Sequence, residues 1–141
     1  MTLNPYLNFD GNAEEAFRFY QSVFGGELFI QKMNQAPGTD DLPENEKNRI
    51  MHVGLPIGNG QYLMASDCLP SQGHILKQGN NNYISVSPDS REEADRIFNE
   101  LSVGGKIEMP LENMFWGDYF GSFVDKFGVC WMINFANQNN E

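Results

Sequence analysis

Positive charge is scarce in this chain: 9 Lys plus Arg stand against 19 Asp plus Glu, a formal net charge of −10. With no basic run anywhere, neither nucleic acid nor an anionic membrane surface is expected as a partner. Long apolar runs are missing too, since no segment approaches the roughly 20 residues of a membrane span. The opening Met1-Thr2-Leu3-Asn4-Pro5 has neither the basic nor the apolar region of a secretory leader, so a cytoplasmic location is expected. Cysteine is limited to Cys68 and Cys130, both in apolar, strand-like surroundings without zinc-knuckle or Cys-x-x-Cys spacing. They read as two reduced, buried thiols. Histidine is limited to His52 and His74, and no Ser-His-Asp order, phosphate loop or zinc pattern can be assembled around them. Asp125-Lys126-Phe127-Gly128 is not the kinase Asp-Phe-Gly element, because a Lys intervenes and the other kinase parts are absent.

What is present is a repeat. Glu15-Ala16-Phe17-Arg18, leading to Gly25-Gly26, returns as Glu93-Ala94-Asp95-Arg96, leading to Gly104-Gly105; the offset is 93 − 15 = 78 at the start and 104 − 25 = 79 at the glycines. An offset just above half of 141 residues gives each half one copy of a helix closed by a Gly pair. At 16.0 kDa, 40% hydrophobic and 13% aromatic, the chain is sized for one domain with a real core. That domain, 1–141, divides into a first module 1–68, a linker 69–81, a second module 82–136 and a polar tail 137–141.

Apolar residues at Ala13, Ala16, Phe17, Tyr20, Val23 and Phe24 predict a first helix, with Asn12 and Glu15 placed for a capping box. Ala94, Ile97, Phe98 and Leu101 predict a second behind Ser90 and Glu93, and Asn12 plus 78 falls on Ser90. Before the first helix, Leu3, Pro5, Leu7 and Phe9 alternate with Asn4, Tyr6 and Asn8, so one strand face can lie under the helix while the other lines a cavity. Strands are further predicted over 27–33, 50–57 and 61–66, the last two joined at Gly58-Asn59-Gly60, an Asn-Gly hairpin signal. The polar stretch from Asn34 to Arg49 reads as a long solvated loop whose length would suit a lid. In the second half strands are predicted over 82–86, 106–111, 119–124 and 129–135, the final turn set by Asp125 and Gly128. Residues 3–66 and 82–135 are thus expected to superpose as βαβββ units.

Two βαβββ units in one short chain resemble the vicinal oxygen chelate superfamily, which includes glyoxalase I, bleomycin-resistance and fosfomycin-resistance proteins and extradiol dioxygenases. The wording is closest to its PhnB-like branch, also labelled 3-demethylubiquinone 3-methyltransferase-like. Asn4-Pro5-Tyr6-Leu7-Asn8-Phe9, Gly11-Asn12, Phe19-Tyr20, Phe24-Gly25-Gly26, Met64 to Asp67, Gly105 to Met109, Phe115-Trp116 and above all Asp125 to Asn134 carry the resemblance. It implies an α+β fold with a strongly curved eight-stranded mixed sheet, two outer helices and a homodimer. The superfamily's enzymes hold a divalent metal with one side chain from the first and last strand of each half, positions that fall here on Asn4, near Ala65, on Asn82 and on Met132. None is a His or carboxylate, so no metal and no cofactor are expected. Methyl transfer lacks the Gly-rich loop of a nucleotide-type cofactor, and phosphonate binding lacks a Lys or Arg cluster.

The candidate ligand cleft is Asn4, Tyr6, His52, Met64, Asn82, Phe115, Trp116 and Met132. His52 shares a strand face with Ile50 and Gly54 and is the one candidate for acid–base work, or else a histidine satisfied by its neighbours. Phe115, Trp116 and Tyr119 serve as a ligand platform, as core or as a dimer contact. Trp131, Ile133 and Phe135 share the face expected under the second helix, and Asp67 and Asp118 read as turn or strand-end residues. Three functions remain open: metal-independent binding or sequestration of a small, partly aromatic molecule, a glyoxalase-type lyase or isomerase, and a non-catalytic interaction module.

Overall fold

A computed structural model describes residues 1–137, so most of the polar tail, residues 138–141, lies outside the described residues. The chain forms two compact units, Met1–Lys77 and Gln78 onward. The first runs β1 (Tyr6–Phe9), α1 (Ala13–Phe24), β2 (Phe29–Lys32), α2 (Glu44–Lys47), β3 (Ile50–Gly58) and β4 (Gln61–Asp67). The second runs β5 (Ile84–Val86), α3 (Arg91–Leu101), β6 (Lys106–Asn113), β7 (Asp118–Val124) and β8 (Cys130–Ala136). Each unit holds a four-stranded mixed sheet, ordered β1-β4-β3-β2 in one and β5-β8-β7-β6 in the other. In both, the first strand runs parallel to the last and the remaining pairs are antiparallel. The two βαβββ units of this α+β fold therefore share one topology. Helix starts keep the offset, 91 − 13 = 78, while the third strands lie 118 − 50 = 68 apart because the first unit carries the longer β2–β3 connection. Among the described residues no helix is long and apolar enough to cross a membrane.

Helical periodicity decides the cores. Ala13, Ala16, Phe17, Tyr20 and Val23 are buried along one stripe of α1, with Phe17 edge-on to both Phe9 (6.2 Å) and Tyr20 (5.4 Å). Val53, Leu55, Leu63 and Ala65 meet them from the sheet. In the second unit Ala94, Ile97, Phe98 and Leu101 pack over Phe123, Trp131 and Ile133, with Phe98 edge-on to Phe123 at 5.1 Å. The repeated Gly pair has one physical cause in both halves. A Cβ on Gly26 would stand 2.8 Å from the Pro56 carbonyl oxygen, and one on Gly105 would stand 2.1 Å from that of Val124, so helix exit and third strand approach too closely for a side chain. The Asn59-Gly60 hairpin has positive φ at both residues, 54° and 75°, as a type I′ turn requires. Asp125 closes the last hairpin: Oδ1 accepts from the Phe127 and Val129 amides (2.8 and 3.0 Å), and Oδ2 from Trp131 Nε1 (2.8 Å).

Several expectations need correction. β1 begins at Tyr6, and Leu3, 91% exposed, lies under no helix. Asn12 makes no side-chain cap bond; the carboxylate of Asp67 takes that role, Oδ1 accepting from the Gly11 and Ala13 amides (both 3.0 Å) and Oδ2 from Ile50 N (2.8 Å). A buried carboxylate with three amide donors outcompetes a half-buried Asn. Ser90 does cap α3, accepting from Glu93 N at 3.0 Å. The Asn34 to Arg49 stretch is not a solvated loop throughout: it includes α2, and Glu46 is buried, accepting from Ser71 Oγ (2.7 Å) and Ser71 N (3.3 Å).

Candidate functional site

Residues opposite one another across a ladder project to the same side of a sheet. On the first sheet Tyr6 stands opposite Met64, Met64 opposite Gly54, and Gly54 opposite Phe29, so one row crosses all four strands. His52, opposite Gln31, belongs to the same face. The other face is the core under α1. This row is exposed at its two ends, Tyr6 47% and Phe29 60%, while Met64 is half-buried and Gly54 buried between them.

Gly54 interrupts the row. A Cβ there would sit 3.7 Å from His52 Nε2 and 4.0 Å from Met64 Cγ, ordinary contact distances, so the missing side chain leaves a shallow notch with room for one carbon between Met64 and Phe29, the imidazole along one side and buried Gly54 as its floor. Tyr6 fixes that imidazole. Its hydroxyl is 3.1 Å from His52 Nδ1, the two rings stack at 5.8 Å, and Phe29 lies 6.1 Å from the imidazole on the β2 side. Three sequence-derived candidates, Tyr6, His52 and Met64, are thus brought together. Gly54, already expected on the His52 face, and Phe29, which was not anticipated, complete the group.

Asn4 lies just before β1 and is committed elsewhere: its Oδ1 accepts from Tyr62 N at 3.1 Å, continuing the ladder that Pro5 O makes with Met64 N at 3.3 Å. Behind the site, Arg49 Nη1 donates to Asp10 Oδ1 (2.8 Å) and to the Cys68 carbonyl (2.9 Å), a tie that lowers the Asp10 pKa and raises that of Arg49. Burial pushes the Cys68 thiol up.

On the second sheet's open face Met132 lies between Ser85 and Ser122, and Ser122 faces Met109. Asn82 precedes β5, is exposed, and donates to Asn81 Oδ1 at 3.4 Å. Phe115 (97% exposed) and Trp116 (50%) sit on the β6–β7 turn, their rings 5.0 Å apart, and Trp116 reaches Phe120 at 6.0 Å. Tyr119 separates from them: it is buried, donates to Asp95 and lies under the Arg91 guanidinium at 3.8 Å.

A further cluster on this sheet was invisible in the sequence. Ile107 and Met109 oppose the adjacent residues Phe123 and Ser122, which makes Glu108 the extra residue of a bulge, the kind of irregularity that re-aims a side chain. Tyr83, just ahead of β5 on the opposite edge, donates to its carboxylate at 2.8 and 3.1 Å from the two oxygens. That bond is the chief cause of a Tyr83 pKa pushed up to about 12. Cys130 lies in the same cluster, its thiol raised first by burial and then by the Glu108 charge.

The described architecture is the fold of the glyoxalase/bleomycin-resistance superfamily: a glyoxalase-related enzyme from Fulvimarina pelagi superposes with a TM-score of 0.62 at 18% identity, over 96% of this chain and 88% of that one. Within it, residues 1–134 match the family described as 3-demethylubiquinone-9 3-methyltransferase, and the chain belongs to that PhnB-like family. Among its relatives, Protein YjdN of Escherichia coli K12 is 37% identical over 98% of this chain and 97% of its own length. The crystal structure of protein PA1353 from Pseudomonas aeruginosa gives a TM-score of 0.85 at 39% identity, covering 96% and 98% of the two chains. A putative 3-demethylubiquinone-9 3-methyltransferase, PhnB protein, from Bacillus cereus gives 0.74 at 28%, covering 96% and 100%.

Of the positions that the resemblance assigns to metal ligation, Asn4 spends its oxygen on Tyr62, Ala65, near which the second falls, is fully buried on the core face, Asn82 carries an amide and Met132 a thioether. Among the described residues no three His, Cys, Asp or Glu side chains are placed to share an ion.

Proposed function

We propose that the protein binds a small, flat, partly aromatic molecule on the open face of the first sheet, without a metal, and that it does so in the cytoplasm as a homodimer. The observation that carries this reading is the row Tyr6–Met64–Gly54–Phe29, aromatic at both ends, soft in the middle and notched at Gly54. Exposed rings flanking a concavity with one positioned polar group suit a flat ligand better than they suit solvent. Two buried free thiols agree with a reducing compartment. The homodimer is supported by the apolar exposure of the second unit, where Val103, Ile107, Met109 and Phe115 are 59%, 50%, 42% and 97% exposed.

Naphthol is a suitable probe, titrated against the Met64 methyl resonance. Phe29→Ser should weaken binding about tenfold by removing one ring contact worth roughly 1.5 kcal/mol, whereas Phe115→Ser should leave it unchanged. The opposite pattern would move the site to the β6–β7 turn and overturn the reading.

A further inference from the structure

Resting on that binding reading, we propose that the notch selects flat ligands carrying a hydrogen-bond acceptor at the ring edge, such as a carboxylate, phenolate or carbonyl, and that His52 Nε2–H is the selecting donor. The phenol of Tyr6 meets His52 at Nδ1. A phenolic O–H donates more readily than its ring-conjugated oxygen accepts, so Nδ1 is the acceptor and the ring proton resides on Nε2. Nε2 is also the ring atom at the shallow notch over Gly54, in contact range at 3.7 Å from where a Cβ would stand. Tyr6 therefore acts at a distance on recognition, as the positioning residue that sets the tautomer.

The rest of the face supplies no carboxylate. Strand register places Tyr6, Asn8, Phe29, Gln31, Gly54, Pro56, Tyr62, Met64 and Ser66 around His52, none of them acidic or basic; past a register shift the next β2–β3 pair sets Lys32 opposite Ile50, a cation that assists an anionic acceptor but not a neutral one such as acetophenone. A cationic ligand finds no carboxylate in that group, so it gains nothing from the notch even though the net charge of −10 draws cations toward the protein generally. An acceptor finds one directional donor, flanked by the Phe29 ring and the Met64 thioether. Local chemistry and overall charge therefore predict opposite preferences, which makes the proposal decidable.

The test uses the full-length protein and matched planar probes: benzoate and acetophenone as acceptors, benzamidine as a donor-only cation of the same shape. Nitrogen NMR of the isotope-labelled free protein should show His52 protonated at Nε2 and bare at Nδ1; the reverse tautomer would overturn the proposal before any ligand is added. Benzoate and acetophenone should each shift the Nε2 resonance and bind about tenfold more tightly than benzamidine, the factor expected of one well-aligned hydrogen bond. His52→Phe, which keeps a ring, should abolish that preference, and Tyr6→Phe should reduce it while mixing the tautomers. If all three probes move the Met64 methyl but benzamidine binds as well or better, the donor assignment is wrong and the binding surface stands. If none moves it, the surface itself is wrong, and the assignment falls with it.

Discussion

Removing the Asp67 carboxylate should cost far more stability than removing the Asn12 side chain at the head of the same helix. Asp67 is 3% exposed and accepts three backbone amides, those of Gly11 and Ala13 at the head of α1 and that of Ile50 at the start of β3. A hydrogen bond to a charged acceptor contributes about 1.5–3 kcal/mol, and an amide left buried without a partner costs about 1–3 kcal/mol. The Ala13 and Ile50 bonds are buried and the Gly11 bond is partly open, so Asp67→Ala is expected to lose about 4 kcal/mol, weighting the two buried bonds at about 2 kcal/mol each. Asp67→Asn keeps one acceptor oxygen and turns an NH2 toward an amide, and should lose roughly half as much. Asn12→Ala removes a side chain that makes no cap bond and should change stability by less than about 0.5 kcal/mol. Urea unfolding followed by far-UV circular dichroism reads all three variants, with the midpoint moving at constant slope. An Asn12→Ala loss as large as that of Asp67→Ala would refute the assignment of the cap.

Gly54→Ala should fold normally and gain about 0.4–1 kcal/mol, because its Cβ meets only ordinary contacts and the unfolded chain loses freedom, yet naphthol affinity should fall as the notch fills; a variant that binds naphthol like wild type would remove the notch from the account. Tyr83 has its pKa raised by accepting company from a carboxylate, so its neutral form is favoured in the fold: that contribution is complete below the ordinary tyrosine value and disappears as pH rises through about 12. The phenolate absorbance of Tyr83, identified by difference from Tyr83→Phe, should therefore appear only near pH 12, and earlier in Glu108→Gln. Light scattering should give 2 × 16.0 = 32.0 kDa for the homodimer, and a clean 16.0 kDa species at high micromolar concentration would rule the dimer out.

Much of this fold could be read along the chain because it is local and repeated. The stripes of α1 and α3, the Asn59-Gly60 turn and the Asp125 hairpin each depend on residues a few positions apart. What escaped depends on partners far along the sequence. Asn12 looks like a cap in every local respect, and only the arrival of Asp67, 67 − 12 = 55 residues on, displaces it. Glu46 reads as part of an acidic solvated stretch until Ser71 closes on it. The site divides the same way. Tyr6 and His52 follow from strand alternation, but the notch needed the register that sets Met64 and Phe29 on either side of Gly54. Glu108 was hidden because a bulge breaks the two-residue period on which face assignments rest.

The most direct measurement is a crystal structure of the protein soaked with naphthol. The account predicts a ring lying over Gly54, between Phe29 and Met64, with its oxygen within hydrogen-bonding distance of His52 Nε2. A ring seated only against Phe115 and Trp116, or no ordered naphthol on the first sheet at a concentration that saturates binding in solution, would contradict it.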